Sequence, residues 1–318
     1  MLIASPSGAS AIIRKEFPGK CTHYGLRRKH NFGVWASEFP AFLPKEVENI
    51  KDQFARNLAS RIDRLPVPLS LTKNHIMSSC VKPKTLSKTS PLVLLHGFDS
   101  SLLEWRYVLP LLEEAGLETW AFDVLGWGFS DLENLPPCNV ASKRDHLYQF
   151  WNSYIRRPMT LVGPSLGAAV AIDFVVNYPQ AVHVDKLIFI DASVYAEGTG
   201  NLAKLPKLMA YAGVYLLKSI PLRLYATSLT FNRISWNNCV DWTNIGRLHC
   251  LLPWWEDATV DFMISGGYNV SSYIQHVRVR SYIQASPKAI SWRREGCWGV
   301  THHSSVILWI VWSTLPKA

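Results

Sequence analysis

Short apolar segments alternate with helix-like segments between residues 91 and 190. The apolar segments are 91–95, 118–123, 159–162 and 186–190. Helical spacing of large apolar side chains appears between them, over 102–115, 142–155 and 163–178. Short apolar runs that alternate with helices are typical of parallel strands buried on both faces. We therefore predict an α/β fold whose mostly parallel sheet carries helices on both faces.

One strand-to-helix transition carries the motif Gly163-Pro-Ser165-Leu-Gly167, which matches G-x-S-x-G. A serine that projects from the end of a strand needs a tight, strained turn, and bulky side chains two positions away would collide with the neighbouring chain. The helix that follows directs its first N–H groups towards the place where an oxyanion develops. A coincidental glycine turn is the alternative. The apolar strand before the motif and the small residues 168–171 after it favour Ser165 as a nucleophile.

Three motifs in this order resemble the α/β-hydrolase family, in its lidded epoxide-hydrolase-like and haloperoxidase-like branch. They are His96-Gly-Phe98, Asp123-Val-Leu-Gly-Trp-Gly-Phe-Ser130 and the turn at Ser165. The resemblance covers about 88–275 and implies an oxyanion hole built from the backbone N–H groups of Phe98 and Leu166. It implies a structural role for His96. Epoxide hydrolases and haloalkane dehalogenases of the family carry a carboxylate where this chain has Ser165, so the serine indicates acyl transfer to an ester, thioester, amide or lactone.

The partners that would activate the serine are less visible. A serine hydroxyl needs a histidine to accept its proton and an acid to orient that histidine, and in this fold they follow the serine in the order acid, then histidine. The segment 276–318 contains one carboxylate, Glu295, and no aspartate. Asp191, at the end of the fourth strand, is the candidate acid, with a loop-stabilising role as the alternative. His303 is the candidate base, and His249 and His276 are interpreted as structural.

The chain divides into five segments by pattern. A stretch rich in Leu, Tyr and Trp follows the fourth strand and predicts a helical lid, with ordinary surface helices as the alternative. Beyond 277 the periodicity ends. We hypothesise that 277–318 derives from a retained intron or a shifted reading frame and that the C-terminal strands of the sheet are missing or altered. If this segment belongs to the native chain, we expect the sheet to lack one or two strands and its last strand to expose an unpaired edge. The segments are a transit-peptide-like 1–36, an N-terminal extension with edge strands 37–90, the core 91–192, the lid 193–268 and an atypical segment 269–318.

The net charge of +9 lies in the two ends of the chain. Residues 1–35 carry six basic residues against one acid, and so do 276–318, whereas 36–275 carries 21 basic and 22 acidic residues. A nucleic-acid footprint requires basic residues clustered on the folded domain, so we expect no nucleic-acid partner. No apolar run reaches the roughly 20 residues of a membrane span, so we expect no stable membrane insertion. The oligomeric state is left open.

The first 36 residues predict import into an organelle. They are poor in acids, contain several serines and the basic cluster 27–29, and lack the continuous apolar stretch of a secretory signal. Transit peptides share this composition, and we expect a chloroplast location, with mitochondrion or cytoplasm as alternatives. The six cysteines are scattered without a C-x-x-C pair, which favours reduced buried thiols. We predict no cofactor and no metal.

Together these patterns predict a serine hydrolase that acts through an acyl-enzyme on an apolar small-molecule substrate. The alternative is a catalytically impaired isoform or a ligand-binding pseudoenzyme that lacks the acid and the histidine. Lyase or peroxidase chemistry on the same fold is a further alternative, since a fold does not fix its chemistry.

Overall fold

A single sheet forms the centre of the computed structural model, which describes residues 38–70, 75–178, 184–192, 204, 206–230, 234–276 and 308–312. Among these residues seven strands are ordered β1-β2-β4-β3-β5-β6-β7. The four central strands β4, β3, β5 and β6 run parallel, and the outer strands are antiparallel to their neighbours. The predicted mostly parallel sheet is confirmed. The strands are β1 (Asp63–Pro68), β2 (His75–Val81), β3 (Leu92–Leu95), β4 (Thr119–Phe122), β5 (Met159–Ser165), β6 (Val184–Ala192) and β7 (Leu308–Trp312).

Helices connect and cover these strands. Within the described residues the α-helices are α1 (Gln53–Ala59), α2 (Val108–Glu114), α3 (Val140–Phe150), α4 (Leu166–Asn177), α5 (Lys207–Lys218), α6 (Ile220–Thr230), α7 (Trp236–Arg247) and α8 (Trp255–Ile264). Short 3-10 turns cover Lys45–Asn49, Leu102–Trp105, Leu248–Leu251 and Ser271–His276, and a π-helical turn, Trp151–Ile155, extends α3. We call helices α5 to α8, together with the 3-10 turn Leu248–Leu251 between α7 and α8, the helical segment. None of the described helices has the length and apolar character needed to cross a membrane.

Successive strand residues supply two apolar clusters, as the alternation of a pleated strand requires. Val93 and Leu95 of β3 belong to one cluster together with α4, while Leu94 belongs to the other together with α1 and α2. In β5 the neighbours Leu161 and Val162 divide in the same way. The sheet is therefore buried on both faces, which explains the continuous apolar runs seen in the sequence.

The N-terminal extension contains one short α-helix before its strands. α1 spans seven residues and begins after Asp52, whose carboxylate accepts the N–H groups of Phe54 and Ala55. Phe54 is half exposed, whereas Leu58 and Ile62 are buried, and Ile62 already lies beyond the helix. The chain then enters the antiparallel pair β1–β2, so the edge strands expected in this region are present.

A strand from the C-terminal segment lies along β6. In the antiparallel pair β6–β7, Lys186 lies opposite Trp312 and Ile190 opposite Leu308. The expectation that the fourth parallel strand would keep an unpaired edge is therefore wrong. The reason is that the apolar run near residue 310, too short to span a membrane, has the length of an ordinary strand. β7 runs antiparallel to β6, whereas the central strands run parallel to one another.

Candidate active site

Ser165 sits in a strained turn between β5 and α4. Its backbone angles are φ 45° and ψ −114°, in a region that residues with a side chain rarely adopt. A Cβ on Gly163 would lie 2.3 Å from the carbonyl carbon of Gly167, and a Cβ on Gly167 would lie 2.8 Å from the carbonyl oxygen of His96. Both glycines are thus required by the close approach of backbone segments, which is the reason the sequence pattern suggested.

The loop after β3 runs beside this turn. A Cβ built on Gly97 would lie 3.9 Å from the Cβ of Ser165, so the backbone that leads to Phe98 passes next to the serine. Leu166 is the first residue of α4, where backbone N–H groups have no acceptor within the helix. The two predicted oxyanion donors, Phe98 and Leu166, therefore belong to the two backbone segments that meet at Ser165.

Buried polar contacts hold the loop in place. The N–H of Gly97 donates to Oε2 of Glu104 at 3.0 Å. The Nε2 atom of His96 accepts the N–H of Val124 at 2.9 Å, so the proton lies on Nδ1, which donates to the Gly97 carbonyl at 2.8 Å. Burial lowers the pKa of His96 to about 4, and its ring is neutral. These contacts agree with a structural role for His96.

The second motif braces the neighbouring loop. The Asp123 carboxylate accepts the N–H of Leu102 at 2.6 Å, the N–H of Phe129 at 3.0 Å and the hydroxyl of Ser79 at 2.5 Å. Gly128 has φ 71°, and a Cβ there would lie 2.0 Å from the Asp123 carboxyl carbon. Burial raises the pKa of Asp123 to about 7, although the three hydrogen bonds act in the opposite direction. Asp123 therefore links β2, the turn before α2 and its own loop through buried hydrogen bonds.

Aromatic side chains surround the loop that carries Phe98. Phe98 is 39% exposed, and its ring meets Trp127 edge-on at 5.1 Å between centroids, with the ring of Phe262 of α8 at 6.2 Å. The Lys143 Nζ lies 3.8 Å from the centroid of Trp127 and 4.7 Å from that of Phe262, and it donates to the Leu125 carbonyl. Burial lowers the pKa of Lys143 to about 8. The surroundings of Phe98 are thus largely apolar.

The predicted acid and base are only partly placed. In the β5–β6 pairing Pro164 lies opposite Ile190 and Ser165 opposite Ala192, so the backbone of Asp191 is in register with the strained turn. The side chain of Asp191 and the whole of His303 lie outside the described residues. The structure therefore brings Asp191 to the correct end of the sheet without testing its role.

The buried histidines of the described region bond elsewhere. Nε2 of His146 lies 2.9 Å from the Ser78 hydroxyl, and Nε2 of His249 lies 3.1 Å from Oδ1 of Asp99. With His96 bound to Gly97 and Val124, these three imidazoles are held by partners other than Ser165. The described residues thus place Ser165 beside the loop that carries Phe98, and these three histidines bond to partners other than the serine.

A buried polar cluster was missed by the sequence reasoning. It joins Asp99, directly after Phe98, to Arg223, His249, Cys250 and Trp255 of the helical segment and its connecting turn. His249 was interpreted as structural, but its partner is 150 positions away, and no local spacing connects the two. Cys80, Cys138, Cys239 and Cys250 are buried free thiols, which confirms the expectation for these four; Cys21 and Cys297 lie outside the described residues.

Comparisons with known proteins give one consistent result. A family model described as alpha/beta hydrolase fold matches residues 90–238. The alpha/beta hydrolase domain-containing protein VTE7 of Arabidopsis thaliana is 63% identical over 251 residues, which is 78% of this chain and 76% of that protein. The (lyso)-N-acylphosphatidylethanolamine lipase of Mus musculus is 30% identical over 122 residues, 37% of this chain and 34% of the lipase. A thermophilic esterase from Thermogutta terrifontis matches with a TM-score of 0.50 at 18% identity. The match covers 66% of this chain and 74% of the esterase, and it shows similarity of fold alone.

Proposed function

The chain belongs to the α/β-hydrolase family, and we propose that it is a serine hydrolase whose nucleophile is Ser165. The observation that carries the proposal is the strained backbone of Ser165, held between two glycines that admit no side chain. Strain of this kind persists where the surrounding structure imposes it. A serine in such a turn carries its hydroxyl at the end of a strand, next to the N-terminus of the helix that follows. A purely structural turn gains nothing from a serine in that conformation.

The proposed reaction follows from this placement. The Ser165 Oγ attacks the carbonyl carbon of the substrate, and a base takes the hydroxyl proton. The oxygen of the tetrahedral intermediate accepts the N–H groups of Phe98 and Leu166, each such donor contributing about 10²–10³ in rate. When the intermediate collapses, the proton passes to the leaving group and an acyl-enzyme remains, which water then hydrolyses. We assign the acid to Asp191 and the base to His303.

An apolar acyl substrate fits the surroundings of the serine. Phe98 is 39% exposed and offers apolar surface beside the turn, and the buried rings of Trp127 and Phe262 pack against it. Phe262 belongs to α8, which supports the proposal that the helical segment acts as a lid over the substrate. One relative that matches part of this chain is a lipase by name, and an ester is the substrate class we propose. The relative from Arabidopsis thaliana is a plant protein, which is consistent with the proposed import into a plastid.

A second candidate is a ligand-binding protein without turnover. It is favoured by the engagement of His96, His146 and His249 with partners other than Ser165. Treatment with a fluorophosphonate probe separates the two, because the reaction requires an activated serine. A hydrolase is labelled at Ser165, and Ser165→Ala abolishes the labelling while the exposed-site control Ser60→Ala retains it.

The same labelling tests the assigned partners. We expect His303→Ala and Asp191→Asn to slow labelling by several orders of magnitude and to leave unfolding unchanged. Binding of an apolar fluorescent ester without labelling or turnover in the wild-type chain would establish the second candidate instead.

A further inference from the structure

The loop that carries Phe98 is tied to the helical segment by one carboxylate. Asp99 has φ 48°, a left-handed conformation that aspartate tolerates better than most residues, and its side chain is 10% exposed. Its Oδ2 accepts from the Arg223 guanidinium of α6 at 2.5 Å. Its Oδ1 accepts from Trp255 Nε1 of α8 at 3.0 Å and lies 3.1 Å from Nε2 of His249. Three elements of the helical segment thus converge on the residue next to the proposed oxyanion donor.

The cluster holds one ion pair among neutral donors. Burial lowers the pKa of His249 well below its usual value, so its ring is neutral and Nε2 donates to Asp99. Burial raises the pKa of the Cys250 thiol well above its usual value, so the thiol keeps its proton. Burial also raises the pKa of Asp99 to about 6, against the lowering effect of the Arg223 charge. At neutral pH the Asp99 carboxylate is therefore ionised and paired with Arg223.

A metal site is the other arrangement these residues suggest. One ligand atom each from Asp99, His249 and Cys250 lie within 4.8 Å of one another. The Arg223 guanidinium, however, donates to the Asp99 carboxylate at 2.5 Å and to the Cys250 sulfur at 2.9 Å. A divalent cation would have to displace that charge and deprotonate a thiol that burial keeps protonated. The cluster is better suited to holding a loop than to binding a metal.

The two flanks of Phe98 are anchored from opposite directions. Gly97 before it donates its N–H to Glu104, on the turn that precedes α2, while Asp99 after it is held by the helical segment. The peptide between two anchored neighbours has little freedom to reorient its N–H. An oxyanion donor is effective only when it is aimed in advance at the developing charge.

We propose that Asp99 is a positioning residue: through Arg223, His249 and Trp255 it couples the helical segment to the loop and fixes the direction of the Phe98 N–H. The inference rests on the proposed function of Ser165. If Asp99 has this role, rapid turnover requires the helical segment to be correctly packed, because the contacts of Asp99 hold both the helical segment and the loop in place. The Arg223 guanidinium balances the negative charge of Asp99, and the neutral donors His249 and Trp255 fix the orientation of the carboxylate.

The test measures p-nitrophenyl butyrate hydrolysis and amide hydrogen exchange in the full chain. We expect Asp99→Asn and Arg223→Gln to lower kcat about 10²-fold, comparable to the loss of one oxyanion donor, with KM within about threefold. The double variant should be no slower than either single variant, because both remove one unit. Amides of 97–101 should exchange at least about tenfold faster, while those of β3 stay protected. Asp63→Asn, which removes an exposed ion pair with Lys82, is the matched control and should change neither quantity.

Trp255→Phe covers the case in which loss of the buried charge pair prevents folding. It removes one donor to Oδ1 and leaves the ion pair intact, so it should lower kcat about 3–10-fold and raise loop exchange by a similar factor. Unchanged kcat and unchanged exchange of 97–101 in folded Arg223→Gln and Trp255→Phe would overturn the inference, as would a rise in KM alone. If the wild-type chain shows no turnover, the proposed function fails separately, and exchange of 97–101 still decides whether Asp99 holds the loop.

Discussion

A methyl group on Gly163 would lie 2.3 Å from the carbonyl carbon and 2.5 Å from the carbonyl oxygen of Gly167. Gly163 lies near the end of β5 and Gly167 lies in the first turn of α4, so the contact measures how sharply the chain turns at Ser165. Because both partners are backbone, no side-chain rotation can relieve the overlap. The strained conformation of Ser165 and the glycine at 163 are two aspects of one turn.

Gly163→Ala is therefore expected to open the turn. The added methyl must push β5 and α4 apart, which we expect to cost about 3 kcal/mol or more in the free energy of unfolding and to abolish labelling of Ser165. Urea unfolding and fluorophosphonate labelling measure the two effects. The matched control is Gly213→Ala in α5, where nothing lies within 4 Å of the new methyl. It should raise the free energy of unfolding by about 0.5–1 kcal/mol, and equal behaviour of the two variants would contradict the argument.

Among the arginines on the N-terminal side of the domain, we expect the removal of Arg106 to lower the free energy of unfolding most. Its Nε donates to Asp52 at 2.9 Å, and its guanidinium carbon lies 3.7 Å from the ring centroid of Trp242, with the arginine side chain 2% exposed. Arg106→Ala removes the cationic partner of Asp52, whose side chain is 9% exposed, and leaves the carboxylate only its neutral donors, which should cost about 3 kcal/mol. Urea unfolding measures the change.

An exposed ion pair serves as the comparison for Arg106. Lys82 lies 3.1 Å from Asp63, with both side chains about half exposed. Solvent screens such a pair, so Lys82→Ala should cost less than about 1 kcal/mol. A cost of similar size for the two variants would contradict the assignment of Arg106 as a buried structural link.

The sequence predicted the parts of this fold that depend on local pattern. The four central strands, the turn at Ser165 and the loop at Phe98 all follow from spacing, because apolar runs and glycines act on their immediate neighbours. The β7 strand was not predicted, since five apolar residues near 310 carry no information about their partner in β6. Nothing in the sequence connected Asp99 to His249 and Trp255 either, because a side-chain cluster depends on where the helical segment folds back. Local geometry was therefore predictable, and contacts between distant segments were not.

Asp123 should make the domain less stable as the pH rises through the neutral range. Burial raises its pKa from 3.8 to about 7, so the folded state binds this proton more tightly than the unfolded state does. Its contribution to stability is full below about pH 3.8 and is lost as the pH rises to about 7. Through this group the free energy of unfolding should fall by about 2 kcal/mol between about pH 5 and pH 7.

Comparison with Asp123→Asn isolates that contribution. The variant has no titrating group at this position, so the difference in free energy of unfolding between wild type and variant should shrink as the pH rises. The exposed carboxylate Asp63 provides the control, and Asp63→Asn should follow the wild-type pH dependence. Parallel curves for wild type and Asp123→Asn from pH 5 to pH 8 would show that Asp123 keeps an ordinary pKa in the folded protein.

Phe98 offers a way to separate its backbone from its side chain. Phe98 is 39% exposed, and Phe98→Ala keeps the N–H that we assign to the oxyanion but removes the ring, whose centroid lies 5.1 Å from that of Trp127. The lost surface is apolar and contributes equally to binding the substrate and the transition state, so KM for an apolar p-nitrophenyl ester should rise about 5–20-fold while kcat stays within about threefold. Steady-state kinetics with acetate and octanoate esters measure the change, and the effect should be larger for the longer chain. A collapse of kcat at unchanged KM would mean that the ring, and not Asp99, holds the N–H in place.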